Sequence, residues 1–275
     1  MTMGTDTRPS AASLVYVYAV TRDDAALTGR APLPAGLGTA PRLLSAGSVA
    51  ALVRDVPEED FGTEALTRQL DDLDRLEALA RAHHDTIESA AAHATVLPLR
   101  MTTVYRDETR VREVLTDRAD TFTRALDRLQ GHVELGVKVF AEPEGVQDGP
   151  HSEAPDLPEA SPGRAYLQRR RDQRRRNRYA LGTAGPVAER TARLAAESAR
   201  ARVSHRVQQG ALATSRGENI ANDAYLVPAT DVHRFRHAVR ELSAPEQGVR
   251  VEVTGPWAPY SFTDWAQSPQ DDHVR

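Results

Sequence analysis

Hydrophobic and β-branched residues run without interruption through SLVYVYAV, Ser13 to Val20, and this composition predicts an opening β-strand. The next two apolar runs are RLLSAG and VAALVRDV. Gly47 lies where they are separated, which predicts an antiparallel pair with a tight turn. TVLPLRMTTVY predicts a short strand that a proline breaks, because proline cannot donate a backbone hydrogen bond. HVELGVKVFA is predicted as the strand that closes this half of the chain.

Apolar residues recur at three- and four-residue intervals after Thr63, which predicts one long helix capped by this residue and carrying a single buried stripe. The stripe comprises Leu66, Leu70, Leu73, Leu76, Ala80, His84 and Ile87. A second helix is predicted to begin at Asp107 or Thr109 and to end at Gly131, where a left-handed backbone costs least. Its apolar face comprises Val111, Leu115, Phe122, Leu126 and Leu129.

The second half of the chain predicts helices, two strands, a helix and a last strand. AERTARLAAESARARVSHRVQQ is rich in Ala, Glu and Arg, so it is predicted to be helical throughout. The two strands are ALATSR and NDAYLVP. Asp231 is the predicted cap of the following helix, and VRVEVTG is the predicted final strand.

Residues 142–162 are acidic and rich in Pro and Gly, so they bury too little apolar surface to offset the entropy of ordering. The length of 275 residues also favours two domains. We therefore predict an α+β protein with antiparallel sheets, long helices and an acidic linker. Its predicted parts are a disordered tail (1–12), an N-terminal α+β domain (13–141), a linker (142–162), a C-terminal α+β domain (163–264) and a tail (265–275).

Composition narrows the class of function. The chain has no cysteine, which excludes disulfides, thiolate metal sites and thiol nucleophiles. Its net charge of -4 gives the whole molecule no attraction for nucleic acid or anionic membranes. The N-terminus lacks the basic and apolar regions of a signal peptide, and no apolar run approaches the roughly 20 residues that span a bilayer. We therefore predict a soluble, cytoplasmic protein without a membrane segment.

The sequence contains none of three common catalytic or phosphate-binding motifs. The sequence has no phosphate-binding glycine loop, no nucleophile elbow and no zinc-protease helix motif. His233 and His237 have metal-ligand spacing, but arginines flank them and no third ligand completes a set, so coincidence is favoured. Of His83 and His84, one is expected to face a core. We predict no enzymatic activity, cofactor or metal site.

Residues 164–178 hold eight arginines and one aspartate. Seven of these arginines form what we term the basic run: Arg169, Arg170, Arg171, Arg174, Arg175, Arg176 and Arg178. This charge can hold nucleic acid or an acidic partner, but few aromatic residues interleave for base stacking. The alternative, which the sequence favours, is a solvated helix that pairs with the acidic linker.

Three phrases resemble the gas vesicle synthesis protein L/F family in sequence, order and separation. The first is LVYVYAV (Leu14–Val20), and the second is HATVLPLRMTTVY (His93–Tyr105) followed by LQGHVELGVKVF (Leu129–Phe140). The third, VTGPWAPYSF (Val253–Phe262), is similar to the family ending Gly-Pro-Trp-Pro-Pro-Tyr-Ser-Phe. The resemblance covers most of the chain.

Three residues depart from the family pattern. Ala258 replaces the second proline of the ending, and Met101-Thr102 replaces Phe-Gly after Leu-Pro-Leu-Arg. Met101 keeps an apolar side chain where the family has phenylalanine. Because the glycine is lost, we predict an ordinary backbone angle at Thr102.

The resemblance implies two α+β domains with ferredoxin-like elements and no catalytic activity. It also implies a cytoplasmic accessory protein of gas vesicle assembly that binds the small hydrophobic shell protein and other accessory proteins. Two alternatives stay open. One is a nucleic-acid-binding or regulatory module that uses Arg169–Arg178. The other is an enzyme on a ferredoxin-like scaffold, for which His84, Arg100 and Lys138 are the first residues to inspect.

Eight residues of these phrases are candidates for structural or partner-binding roles: Pro98, Arg100, Gly255, Pro256, Trp257, Pro259, Tyr260 and Phe262. Pro256 and Pro259 fix φ and remove two backbone donors, so the final strand is predicted to stop and the chain to turn. Two uses of the three aromatics stay open. Either they pack over the C-terminal sheet or across an interdomain seam, or at least one is exposed to a partner.

Overall fold

A computed structural model describes residues 13–23, 40–70, 72–143, 162–207 and 217–263. The chain forms two compact units, of which the first comprises Met1–Gly131 together with Ala258–Arg275 and the second comprises His132–Trp257. Both predicted tails and nearly all of the predicted acidic linker lie outside the described residues. Their predicted roles therefore stay predictions.

The first unit contains an antiparallel sheet of five short strands. The strands are β1 (Ser13–Arg22), β2 (Arg42–Ala46), β3 (Val49–Pro57), β4 (Val96–Pro98) and β5 (Val104–Tyr105). Their order is β2-β3-β1-β4, and β5 pairs with the other end of β1. Strands β2 and β3 form the predicted hairpin, with Gly47 in the turn at φ +69°. Tyr16 and Tyr18 of β1 are fully buried.

The described residues of the first unit form five α-helices: α1 (Glu58–Phe61), α2 (Thr63–Leu70), α3 (Leu73–Ala91), α4 (Glu108–Asp117) and α5 (Ala119–Leu129). Each long helix predicted from the sequence is therefore two helices. Asp72 begins α3 by accepting a hydrogen bond from the Arg75 backbone N–H, and Asp107 caps α4 in the same way through Arg110. Arg118 separates α4 from α5.

The break before α3 changes the side chains that face the core. Helix α3 buries Leu79, His83, Thr86, Ile87 and Ala90. Of the predicted stripe, Ile87 is buried as expected, but Ala80 is exposed and Leu73 is 78% exposed. The prediction of one continuous stripe is wrong because the helix is interrupted between α2 and α3. The side chains of α3 are therefore not in helical phase with those of α2. The predicted apolar face of α4 and α5 is buried at all five positions, and Gly131 ends it at φ +72°.

The second unit contains β6 (His132–Ala141), α6 (Pro162–Ser198), β7 (Ala201–Ser204), β8 (Glu218–Pro228), α7 (Val232–Arg240) and β9 (Val249–Trp257). The sheet order is β7-β8-β6-β9, and every pair is antiparallel. This element order and this strand order are those of the ferredoxin-like fold. Both helices bury apolar side chains against the sheet, including Ala184 of α6 and Phe235 of α7.

Three predictions for this unit are corrected. Strand β6, predicted to close the first domain, lies inside the second sheet because its partners β8 and β9 come much later in the chain. The predicted helix over ARVS is strand β7, which pairs with β8 through Ala201–Ser204. Asp231 precedes α7, but its carboxylate pairs with Arg234 at 3.4 Å and caps no backbone N–H. The predicted strand ALATSR lies outside the described residues.

Among the helices in the described ranges, none has both the length and the apolar content needed to cross a bilayer.

Candidate functional site

The C-terminal motif, GPWAPYSF (Gly255–Phe262), has residues in both units. Gly255, Pro256 and Trp257 end β9 in the second unit, and residues 258–262 belong to the first. The predicted final strand, VRVEVTG, ends at Gly255, and this bound is wrong. Strand pairing with β6 continues to Trp257, which lies opposite Glu134. A β-bulge at Gly255 and Pro256 allows this, because the bulge leaves the proline out of the hydrogen-bonded ladder.

The bulge requires glycine at position 255. Gly255 has φ +97°, and the peptide bond to Pro256 is cis. A Cβ atom on this residue would lie 2.6 Å from the Glu134 carbonyl oxygen and 3.2 Å from Leu135 Cδ2, so no side chain fits. The Arg236 guanidinium of α7 donates a hydrogen bond to the Gly255 carbonyl. The aromatic ring that follows is held at a fixed place, and Trp257 is 40% exposed.

The rest of the motif packs onto helix α3 of the first unit. The Ala258 backbone N–H donates to Glu88 Oε1 at 2.8 Å. The Tyr260 hydroxyl lies 3.2 Å from His84 Nδ1, and the two rings stack with centroids 5.9 Å apart. Pro259 and Phe262 are buried. The segment therefore contributes its own hydrogen bonds and apolar surface to the core of this unit.

The second family phrase, HATVLPLRMTTVY, contains β4, β5 and the loop between them. Pro98 ends β4 and is buried, whereas Arg100 is exposed. Thr102 has φ +67°, so the prediction of an ordinary backbone angle there is wrong. Its N–H donates to the Tyr16 hydroxyl at 3.1 Å, and this contact holds the turn in the geometry that glycine adopts more readily.

His83 connects this loop to the sheet. Its Nδ1 lies 2.8 Å from the Tyr16 hydroxyl, and its Nε2 lies 3.3 Å from the Leu99 carbonyl oxygen. A carbonyl oxygen only accepts, so Nε2 carries the proton and Nδ1 accepts from tyrosine. The ring also stacks on Tyr18 with centroids 5.5 Å apart. Burial lowers the pKa of His83 to about 4, which keeps the imidazole neutral near pH 7.

Buried charge lies beside this cluster. The Arg54 side chain is fully buried, and its guanidinium carbon lies 5.6 Å from the centre of the Tyr18 ring. Burial raises the pKa values of the Tyr16 and Tyr18 hydroxyls above the ordinary value of 10. In this cluster Tyr16 and His83 share a hydrogen bond, and the Tyr18 ring lies against both the His83 ring and the arginine, an arrangement that fixes local structure.

Two successive residues of α3 thus bring the predicted motifs together. His83 bonds the loop after Pro98, and His84 bonds Tyr260 of the C-terminal segment. Met101 and Tyr260 pack against the same hydrophobic core. The sequence drew attention to both histidines but missed the roles of Tyr16 and Glu88. The Tyr-x-Tyr pattern of the first strand was a signal for Tyr16. The residues around Glu88 gave no signal of its contact with Ala258.

The other candidate residues belong to different units or lie at the surface. Lys138 lies on β6 of the second unit, whereas His84 and Arg100 belong to the first. His233 and His237 are exposed on α7, and the described residues contain no group of three side chains that could hold a metal ion. The basic run lies on α6 in the second unit, whereas His83, His84 and their partners belong to the first unit.

Comparison with known proteins identifies the family. Residues 14–264 match the family model described as gas vesicle synthesis protein GvpL/GvpF. The chain belongs to this family. The match includes the tyrosines of β1, the loop after Pro98 and the whole C-terminal motif, so the contacts around α3 join segments from both ends of the matched region.

Several relatives resemble this GvpL/GvpF protein along nearly their whole length. Gas vesicle protein L of a Streptomyces species is 42% identical over 258 residues, covering 92% of this chain and 94% of the relative. Gas vesicle protein F2 of Halobacterium salinarum is 25% identical over 262 residues, covering 92% of this chain and 93% of the relative. Family membership supports a role in gas vesicle assembly, and the family is not known for enzymatic activity.

Solved structures share the fold. The crystal structure of GvpF from Anabaena has a TM-score of 0.64 at 18% identity, and it covers 96% of this chain and 100% of its own. GvpF from Microcystis aeruginosa has a TM-score of 0.56 at 16% identity, with coverage of 91% and 98%. The α+β architecture with two antiparallel sheets is therefore that of GvpF.

Proposed function

We propose that this GvpL/GvpF protein is a non-enzymatic accessory protein that binds the small hydrophobic shell protein and other accessory proteins during gas vesicle assembly in the cytoplasm. The observation that carries the proposal is the family match over residues 14–264. A shell subunit that is insoluble alone needs a partner to cover its apolar surface until assembly. No chemistry on the substrate is needed for this role.

Exposed apolar side chains give physical support for partner binding. On α6, Tyr166, Leu167, Tyr179 and Leu181 are at least 40% exposed, and Trp257 reaches the same value at the end of β9. Tyrosine and tryptophan are enriched among the residues that contribute most strongly to binding when a partner buries them. The exposure of Trp257 supports a partner contact at this residue, whereas the burial of Phe262 supports a packing role.

The test is co-purification of the shell protein with this chain after the two are expressed together. We expect the tagged chain to retain the shell protein in the soluble fraction, and Trp257→Ala to reduce the retained amount. His233→Ala is the matched control, because His233 is exposed on α7 in the same unit. If the folded wild-type chain retains no shell protein under conditions in which both are expressed, the proposal is wrong.

A second candidate function uses the basic run to bind nucleic acid. The supporting observation is that these arginines lie along the exposed part of α6. Binding to phosphates releases counterions, so the affinity for DNA would fall steeply as salt rises. Titration of double-stranded DNA at several salt concentrations tests this function, and a weak affinity at low salt would exclude it.

A further inference from the structure

The first part of helix α6 lies outside the core. Side chains from Tyr166 to Tyr179 are exposed or half-buried, and the next buried side chains are Ala180 and Ala184. At 1.5 Å per residue, the 14 residues before Ala180 extend about 21 Å. Unlike the part that packs on the sheet, this part of α6 has faces available to another molecule.

One face of this segment has a regular pattern. Leu167, Arg171, Arg174, Arg178 and Leu181 follow one another at intervals of four, three, four and three residues. In a continuous helix this spacing places all five side chains along one line. Leu167 is 55% exposed and Leu181 is 40% exposed. We call this line the leucine–arginine stripe.

The arginines of the stripe differ from several of their neighbours. Arg175 lies 3.7 Å from the Asp172 carboxylate, and Arg176 donates to the Gln173 side chain at 3.4 Å. Within the described ranges, Arg171, Arg174 and Arg178 have no carboxylate at ion-pair distance. The stripe therefore presents three guanidinium groups whose hydrogen-bond donors are available to a partner.

Charge defines the chemistry of that partner. Residues 164–178 carry a local charge of +7, so the rest of a chain with net charge -4 carries -11. Positive charge is thus concentrated on the helix that the core leaves exposed. An acidic partner gains charge-assisted hydrogen bonds from such a surface, and its approach is accelerated by the local field.

We propose that the leucine–arginine stripe docks an acidic amphipathic helix of a protein partner. Carboxylates of the partner pair with Arg171, Arg174 and Arg178, and apolar side chains at its two ends cover Leu167 and Leu181. The three-four spacing is that of helix–helix packing. The terminal leucines favour protein over nucleic acid, because a phosphate backbone offers them no apolar surface. The inference rests on the proposed function, to which it adds a surface and a partner chemistry.

The probe is a helical peptide of 21 residues with Leu, three Glu and Leu at the same four-three-four-three spacing, beside a scrambled peptide of identical composition. The full chain is titrated with each. We expect the patterned peptide to bind, and the triple variant Arg171→Gln, Arg174→Gln, Arg178→Gln to lose about 10-fold in affinity, since three modest ion pairs are removed.

The matched control removes the same charge from other faces of the helix, through Arg169→Gln, Arg175→Gln and Arg176→Gln. We expect its affinity to change by less than about 3-fold, because the stripe stays complete. Circular dichroism shows whether each variant keeps the helix. Equal losses in the two variants, or equal binding of the scrambled peptide, would mean unspecific charge attraction and would overturn the proposal.

Two other occupants give different results. If double-stranded DNA displaces the peptide at equal charge concentration, the surface is a nucleic-acid site and the proposal is overturned. It is also overturned if the peptide binds only after residues 144–161 are deleted, because the chain's own acidic segment is then the occupant. Shell-protein retention by the wild-type chain is measured in parallel. Retention without peptide binding contradicts this inference alone, and peptide binding without retention contradicts the proposed function.

Discussion

Tyr260 and His84 lie 176 residues apart in the chain, and the tyrosine hydroxyl is 3.2 Å from Nδ1 of the histidine. The neighbouring residue, His83, bonds the Leu99 carbonyl on another side of the same helix. One turn of α3 therefore holds two segments that the sequence separates widely. The first unit includes a segment that follows the second unit in the chain, and Ala258 and Tyr260 of this segment belong to its core.

The bond between Tyr260 and His84 is predicted to couple the two residues energetically. Tyr260→Phe removes the hydroxyl and should lower the free energy of unfolding by about 1 kcal/mol. In a double-mutant cycle with His84→Ala, denaturant titrations should give a coupling energy of about 0.5–1.5 kcal/mol. Tyr179→Phe is the control, since Tyr179 is exposed on α6. Additive effects at Tyr260 and His84 would contradict the bond.

The two aromatic ends of the motif are predicted to differ in their contribution to stability. Phe262 is buried, so Phe262→Ala should cost about 3–5 kcal/mol. Trp257→Ala should cost less than half as much, because the ring is 40% exposed. Urea titrations of the two variants measure the difference. A loss at Trp257 equal to that at Phe262 would show that the ring packs as core.

Glycine at position 102 is predicted to stabilise the protein. Thr102 has φ +67°, where a residue with a Cβ atom is strained, and glycine keeps the N–H bond to Tyr16. Thr102→Gly should raise the free energy of unfolding by about 0.5–1 kcal/mol, after the larger entropy of the unfolded glycine is subtracted. Thr103→Gly is the control and should destabilise, because Thr103 has no left-handed angle to relieve and its hydroxyl bonds the Arg100 carbonyl. Destabilisation by both changes would refute this account.

Gly255 is predicted to tolerate no side chain. Gly255→Ala places a Cβ atom 2.6 Å from the Glu134 carbonyl at φ +97°, and the backbone angle alone costs about 1–3 kcal/mol. Gly182→Ala is the matched control in the same unit: it lies in α6 with open space around it and should stabilise by about 0.5–1 kcal/mol. Thermal unfolding of both variants distinguishes them. A neutral Gly255→Ala would mean that the bulge can shift.

His83 is predicted to make stability depend on pH. Its pKa is about 4 in the folded protein, below the ordinary 6.5, so between these values the unfolded chain binds a proton that the folded chain does not. Stability should therefore fall by roughly 3 kcal/mol as the pH decreases from about 6.5 to about 4, with no further loss from this group below that range.

Urea titrations from pH 7 to pH 4 measure this dependence. His83→Gln should flatten the curve over that range, whatever its effect on stability at pH 7. His233→Gln is the control for loss of a histidine, since His233 is exposed on α7. The same slope in His83→Gln and the wild type would assign the dependence to other groups.

Patterns of a few residues were enough to predict several elements. The β-branched composition of β1 and the glycine between β2 and β3 each identified their element because both act on the local backbone. The spacing from Val111 to Leu129 identified the buried face of α4 and α5 even though Arg118 divides them, since the rotation is nearly kept. Three short phrases also identified the family over residues 14–264.

Strand partners and long-range contacts were decided by the tertiary structure. Nothing within β6 shows that it pairs with β8 and β9, because a strand's own residues report burial and not the identity of its neighbours. Thr102 keeps a left-handed angle and β9 continues past Pro256 because hydrogen bonds from Thr102 to Tyr16 and from Arg236 to Gly255 hold the backbone there. Such bonds join residues far apart in the chain, and local preference yields to them when the folded core supplies the larger free energy.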